Sequence, residues 1–80
     1  MTLKEFISGL ETVANRRPGS YNKDTTIETV VAPEAIAPKA FFLFLLRWFD
    51  LLPDTVAGMT FKDGKETLGE LHASITNDKP

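Results

Sequence analysis

The stretch PKAFFLFLLRWFDLLP, from Pro38 to Pro53, constrains this chain most, because it is almost entirely apolar and carries a proline at each end. Proline fits the first turn of a helix, where its missing N–H has no partner to lose, but it cannot continue a helix interior. The stretch therefore predicts a helix over residues 38–52. Phe41, Phe44, Leu45, Trp48, Phe49 and Leu52 recur at helical spacing and define its core face. Phe42, Leu43 and Leu46 lie off that face, and only Lys39, Arg47 and Asp50 supply charge. Either the helix is buried nearly all round, or it shows a partner an apolar strip.

Little chain is left to cover such a helix. Eighty residues, 1–80, make a single domain with a modest core. The absence of cysteine excludes a disulfide framework and a thiolate metal site, in keeping with a cytoplasmic setting. A net charge of −2, mixed along the chain, argues against nucleic acid, whose phosphates need a basic surface. The longest apolar run, Phe41 to Leu46, is far short of the roughly 20 residues that span a bilayer. No apolar leader opens the sequence, so the expectation is a soluble, intracellular protein without a membrane span.

On the N-terminal side, Thr2 and Glu5 form a capping-box pattern ahead of a helix whose stripe is Leu3, Phe6, Ile7, Leu10 and Val13. Lys4, Glu5, Ser8, Glu11 and Thr12 take the polar side. This helix is expected to end near Asn15 to Arg17, before Pro18-Gly19, with Arg16 and Arg17 as cations favourably placed at its C-terminus. Residues 19–26 read as a polar loop. Ile27, Val30 and Val31 follow as a buried apolar clasp, either one helical turn or an extended segment. Beyond Pro53, Asp54 or Thr55 caps a short helical turn carrying Val56 and Met59, Phe61 packs inward, and Asp63-Gly64 signals a turn. A final helix from about Lys65 to Ile75 puts Leu68, Leu71, His72 and Ile75 on one side, favoured over a hairpin because period-2 alternation is missing.

Chemistry-bearing motifs are few. His72 has no partner at metal-ligand or triad spacing, the serines sit in no nucleophile motif, and the glycines form no phosphate-binding loop. Residue pattern alone yields a small all-α domain, not an enzyme, with no metal site.

The order of elements, however, resembles the acyl and peptidyl carrier protein family. Thr2-Leu3 with Glu5 and Ile7 is similar to that family's first helix, and Thr26-Ile27 with Val31 to its long loop between the first and second helices. Phe41, Leu45, Phe49 and Asp50 fall where its central helix keeps leucines and a closing Phe-Asp, Leu52-Pro53-Asp54 resembles its Ile-Pro-Asp, and Thr67-Leu68, Leu71 and Ile75 match its last helix. The resemblance implies a three-to-four-helix bundle in which Phe41, Leu45 and Phe49 pack on Ile7, Leu10, Leu71 and Ile75. It also implies a 4'-phosphopantetheine arm, an acyl, polyketide or aminoacyl cargo, and partner enzymes of fatty acid, polyketide or peptide biosynthesis.

The family's attachment motif, Asp-Ser-Leu, aligns with Glu34-Ala35-Ile36, so Ala35 stands where the serine would carry the arm. A methyl group forms no phosphodiester, and the chain as written cannot be loaded there. Such an alanine marks either an engineered unmodified form or a natural non-carrying homologue. The central helix also lacks the family's acidic residues, and Met59 to Glu66 is longer than usual. The reading from another class is a small helical interaction module that docks the apolar side of helix 38–52. Phe42, Leu43 and Leu46 would form its partner surface, with Lys39 and Arg47 at the rim.

Overall fold

A computed structural model describes residues 2–31 and 36–76. The fold is all-α: α1 spans Leu3–Val13, α2 Ile27–Val30, α3 Pro38–Phe49, α4 Pro53–Ala57 and α5 Leu68–Thr76, with a 3₁₀ turn at Phe61–Gly64. Helices α1, α3 and α5 are the long ones, while α2 and α4 are single turns. None of the described helices is long and apolar enough to cross a membrane.

The capping box of α1 forms as its residues dictate, with Glu5 N–H donating to Thr2 Oγ1 at 3.1 Å and Thr2 N–H to Glu5 Oε1 at 2.8 Å. The helix then ends at Val13, earlier than expected. Asn15 adopts a left-handed φ of 57°, and the amides of Asn15 and Arg16 turn back to the carbonyls of Thr12 and Glu11 at 3.1 and 2.7 Å. That closure needs a residue tolerant of positive φ, and asparagine supplies it. Arg16 and Arg17 consequently lie beyond the last turn rather than in it.

Helix α3 begins at Pro38, as the proline rule requires, but stops at Phe49 instead of residue 52. Asp50 takes a left-handed φ of 53°, and the Leu51 amide closes on the Leu46 carbonyl at 3.2 Å. Leu52 then caps α4, in which Pro53 is the first residue and not merely a terminator. Two members of the expected core face are thereby corrected. Leu52 has left the helix and is 71% exposed, and Trp48 is 49% exposed because Phe44 occupies the space beneath α1.

The core gathers Phe6 and Leu10 of α1, Phe41, Phe44 and Leu45 of α3, Leu68 and Leu71 of α5, with Ile27, Val30, Ile36 and Val56 closing the ends. Phe6 is central, with its ring 5.8 Å from that of Phe44 and 5.2 Å, edge on, from that of Phe49. Phe49, Ile7 and Ile75 are half-buried around this cluster, and Phe41 meets Phe61 edge on at 5.8 Å. His72 is half-buried beside Phe6, 5.9 Å between rings. Gly9 permits the close approach of α1 and α3, since a Cβ there would lie 2.9 Å from the Phe44 ring.

Two residues of α1 depart from the expected stripe. Val13 is 44% exposed, whereas Glu11, expected on the polar side, is buried with its Oε2 accepting from the Tyr21 amide at 2.9 Å. This bond fastens the polar loop to α1. Of the two open alternatives for the clasp, the helical turn is the one formed, over Ile27–Val30, and only the residue before it, Thr26, is extended, in an isolated antiparallel bridge with Thr67. The Ile27 amide donates to the Glu66 carbonyl and the Leu68 amide to the Thr25 carbonyl, each at 2.8 Å, so the N-termini of α2 and α5 are tied together.

Helix α5 starts at Leu68 rather than Lys65. The longer connection is used by a left-handed turn, with φ of 52°, 50° and 57° at Phe61, Lys62 and Asp63 and 88° at Gly64. Thr67 and Glu70 then build a second capping box, with Glu70 N–H to Thr67 Oγ1 at 3.1 Å and Thr67 N–H to Glu70 Oε1 at 3.0 Å. The other Glu70 oxygen pairs with Lys62 Nζ at 2.8 Å, joining the turn to the helix.

Candidate functional site

The sequence places nine apolar side chains within α3, and a helix with α1 on one side cannot bury them all. Phe41, Phe44 and Leu45 take the interior, and Leu46 is half-buried against the core. Phe42 remains 38% exposed and leans its ring toward Phe61 at 6.1 Å. Leu43 is 54% exposed. The strip anticipated from Phe42, Leu43 and Leu46 is thus open at two positions and largely closed at the third.

The outward surface extends further than those residues. Trp48 lies over the α1 side of α3, its ring 5.6 Å from that of Phe44, and Val13 reaches the same place from the last turn of α1. Val13, Leu43 and Trp48 line one hollow of about 220 Å³ together with Ala40, Phe44 and Arg47. A second hollow of about 460 Å³ shares Val13 and Trp48 and continues along α1 past Gly9 and Ser8 to Lys4 and Glu5. The two make a shallow groove between α1 and α3. Helical spacing alone puts Trp48 and Val13 in the core; what it does not register is Gly9, which draws Phe44 under α1 and leaves the indole outside.

Charge is arranged around the groove. Lys39 and Arg47 are exposed on α3, one helical turn before and after Leu43, and neither pairs with a carboxylate of the described residues. Lys4 lines the α1 end. Glu5, at the same end, is engaged by the Thr2 amide, which holds its carboxyl below the usual carboxylate range.

Of the residues aligned with the carrier attachment motif, Glu34 and Ala35 lie outside the described residues. Ile36 is buried, and its amide donates to the Val30 carbonyl at 3.1 Å, which anchors the chain just before α3. Among the described residues, no group of three or more His, Cys, Asp or Glu is placed to hold a metal ion. Set against protein-family models, curated proteins and solved structures, the chain matches none.

Proposed function

We propose that this chain is a small helical docking domain that acts by binding another protein through the groove between α1 and α3. The observation that carries this reading is the joint exposure of Val13, Leu43 and Trp48 on one continuous surface. A large aromatic and two aliphatic side chains kept in water together are costly to solubility and useful in an interface, where a few such anchors supply most of the binding energy. The test is a photo-crosslinking residue installed at position 43 in cells that express the chain, with position 24 as an exposed polar control. A discrete protein adduct at 43, absent at 24 and lost when Trp48 is replaced by serine, is the expected result. Equal labelling at both positions, or none, rejects the docking reading.

A narrower version is the carrier-like domain, favoured by the succession of α1, a long connection, α3, a short α4 and α5. On that reading the groove would meet biosynthetic enzymes, and position 35 would mark the lost attachment point of a phosphopantetheine arm. An Ala35→Ser chain, incubated with coenzyme A and a broad-specificity phosphopantetheinyl transferase, should then gain the mass of one phosphopantetheine group. An unmodified serine variant would remove the carrier version and leave the docking domain.

A further inference from the structure

The groove has a charge pattern as well as a shape. Lys39, Leu43 and Arg47 follow at four-residue spacing, so a cation flanks the exposed leucine one turn away on each side. Across the groove stands Lys4 beside Glu5, whose carboxylate stays ionised with one oxygen held by the Thr2 amide, so the unbalanced positive charge lies on the α3 edge. From Ile36 to Phe49 the chain contains no carboxylate, and the first that follows, Asp50, is exposed just beyond the end of α3, three residues after Arg47. The surface is therefore apolar along its floor and positive along its α3 edge, although the chain as a whole is negative.

We infer that the groove takes an amphipathic helix of another protein whose apolar face is flanked by aspartate and glutamate. The inference rests on the docking reading and adds the chemistry of the partner. A helix suits the site because the residues lining the two hollows run from Lys4 to Val13 along α1 and from Ala40 to Trp48 along α3, about two turns of each helix. Acidic flanks meet Lys39, Arg47 and Lys4, while leucine or phenylalanine side chains cover Val13, Leu43 and Trp48. A second copy of this chain suits it less well. Two-fold pairing through α3 sets the Lys39 and Arg47 of one copy against the same two cations of the other, with no carboxylate of that helix face between them.

Trp48 is the one tryptophan in the chain and lies in the groove, so its emission reports occupancy directly. The probes are two synthetic helical peptides that lack tryptophan and share one leucine face, the first flanked by glutamate and the second by lysine. The glutamate peptide should bind about tenfold tighter at low salt, shift Trp48 emission to the blue, and lose that advantage as salt rises. Lys39→Glu and Arg47→Glu should each narrow the gap, and together they should reverse it, in chains whose helical circular dichroism is unchanged. Equal binding of both peptides overturns the acidic partner while leaving the docking domain. Silence of Trp48 toward both, with the position-43 crosslink still forming, does the same. A dimer by light scattering whose formation shields Trp48 overturns it too, assigning the groove to a second copy. Loss of the crosslink together with peptide binding removes both readings.

Discussion

Along α3, Phe41, Phe44 and Leu45 are sealed in the core, while Phe42, Leu43 and Trp48, side chains of the same kind, face outward. Hydrophobicity does not separate the two sets. What separates them is how far their neighbours enclose them: Phe44 slides beneath Gly9, Leu45 joins the core with Leu10 and Leu71, and Phe61 meets both Phe41 and Phe42 but only Phe41 is also covered by the core. Leu43 has Lys39 and Arg47 as its exposed neighbours along the helix, one turn away in each direction. A helix this apolar thus has its inside chosen by tertiary contacts, and its outside remains available for a partner.

Truncating one side chain of the inner set should have the largest effect. Phe41→Ala should cost about 3–5 kcal/mol, since the ring is removed from a packed site and leaves a cavity. In a domain this small that is much of the total stability, so the urea midpoint should fall steeply or the variant should fail to fold. A midpoint near that of the parent would mean Phe41 is not held as described.

How much of this could be read from the residues differs between the ends of the helices and their faces. Thr2-x-x-Glu5 announced α1, and Pro38 announced α3, because caps and prolines act locally. Thr67-x-x-Glu70 carries the same local signal, but helical periodicity runs back to Lys65 and hides it, and the left-handed turn at Phe61 to Gly64 shows where that helix begins. The early ends of α1 and α3 depend on Asn15 and Asp50 entering the left-handed region, which either residue type does only in some contexts. Faces were less legible. The 3.6-residue period correctly placed Phe6, Leu10, Phe41, Phe44 and Leu45 inside. It could not exclude Trp48 or Val13, and it could not see that Glu11 would be drawn in by an amide ten residues away. The candidate site was therefore half legible: Lys39, Leu43 and Arg47 followed from α3 alone, whereas the α1 wall required the packing.

Acid titration acts on a smaller scale and away from the inner set, which carries no titratable group: the shifted carboxyls sit near the N-terminal ends of α1 and α5. The Lys62 ammonium, with the Thr67 amide, holds the Glu70 carboxyl below its ordinary range, and the Thr2 amide does the same for Glu5. A lowered carboxyl contributes stability that is present above its unfolded pKa and lost as pH falls through its folded pKa. Glu66 is shifted the other way by burial, so its ionised form opposes folding and acid relieves it. Glu70→Gln should therefore melt lower than the parent near neutrality and lose less on acidification below about pH 5, while Glu66→Gln should melt higher near neutrality. Parallel pH profiles for parent and Glu70→Gln would show that the charge of Glu70, toward Lys62 and the Thr67 amide, contributes nothing in solution.

The smallest effect is expected on the outer set, and it is the most informative for function. Leu43→Glu removes a side chain that has little packing to lose, since more than half of it is already in water. The new carboxylate stands one turn from both Lys39 and Arg47, and each such pair stabilises a helix by roughly 0.2–0.5 kcal/mol. Glutamate and leucine differ little in helix propensity, so the net change in stability should stay within about 0.5 kcal/mol of zero. The same replacement sets a negative charge between the two cations and removes the leucine anchor, so an acidic helical peptide should bind far more weakly. Matched urea melts and peptide titrations of parent and variant separate the two effects. An unchanged melt with lost binding is the signature of an outward face held ready for a partner. A melt lowered as far as that of Phe41→Ala would instead place Leu43 with the inner set, and α3 would then have no free face to offer.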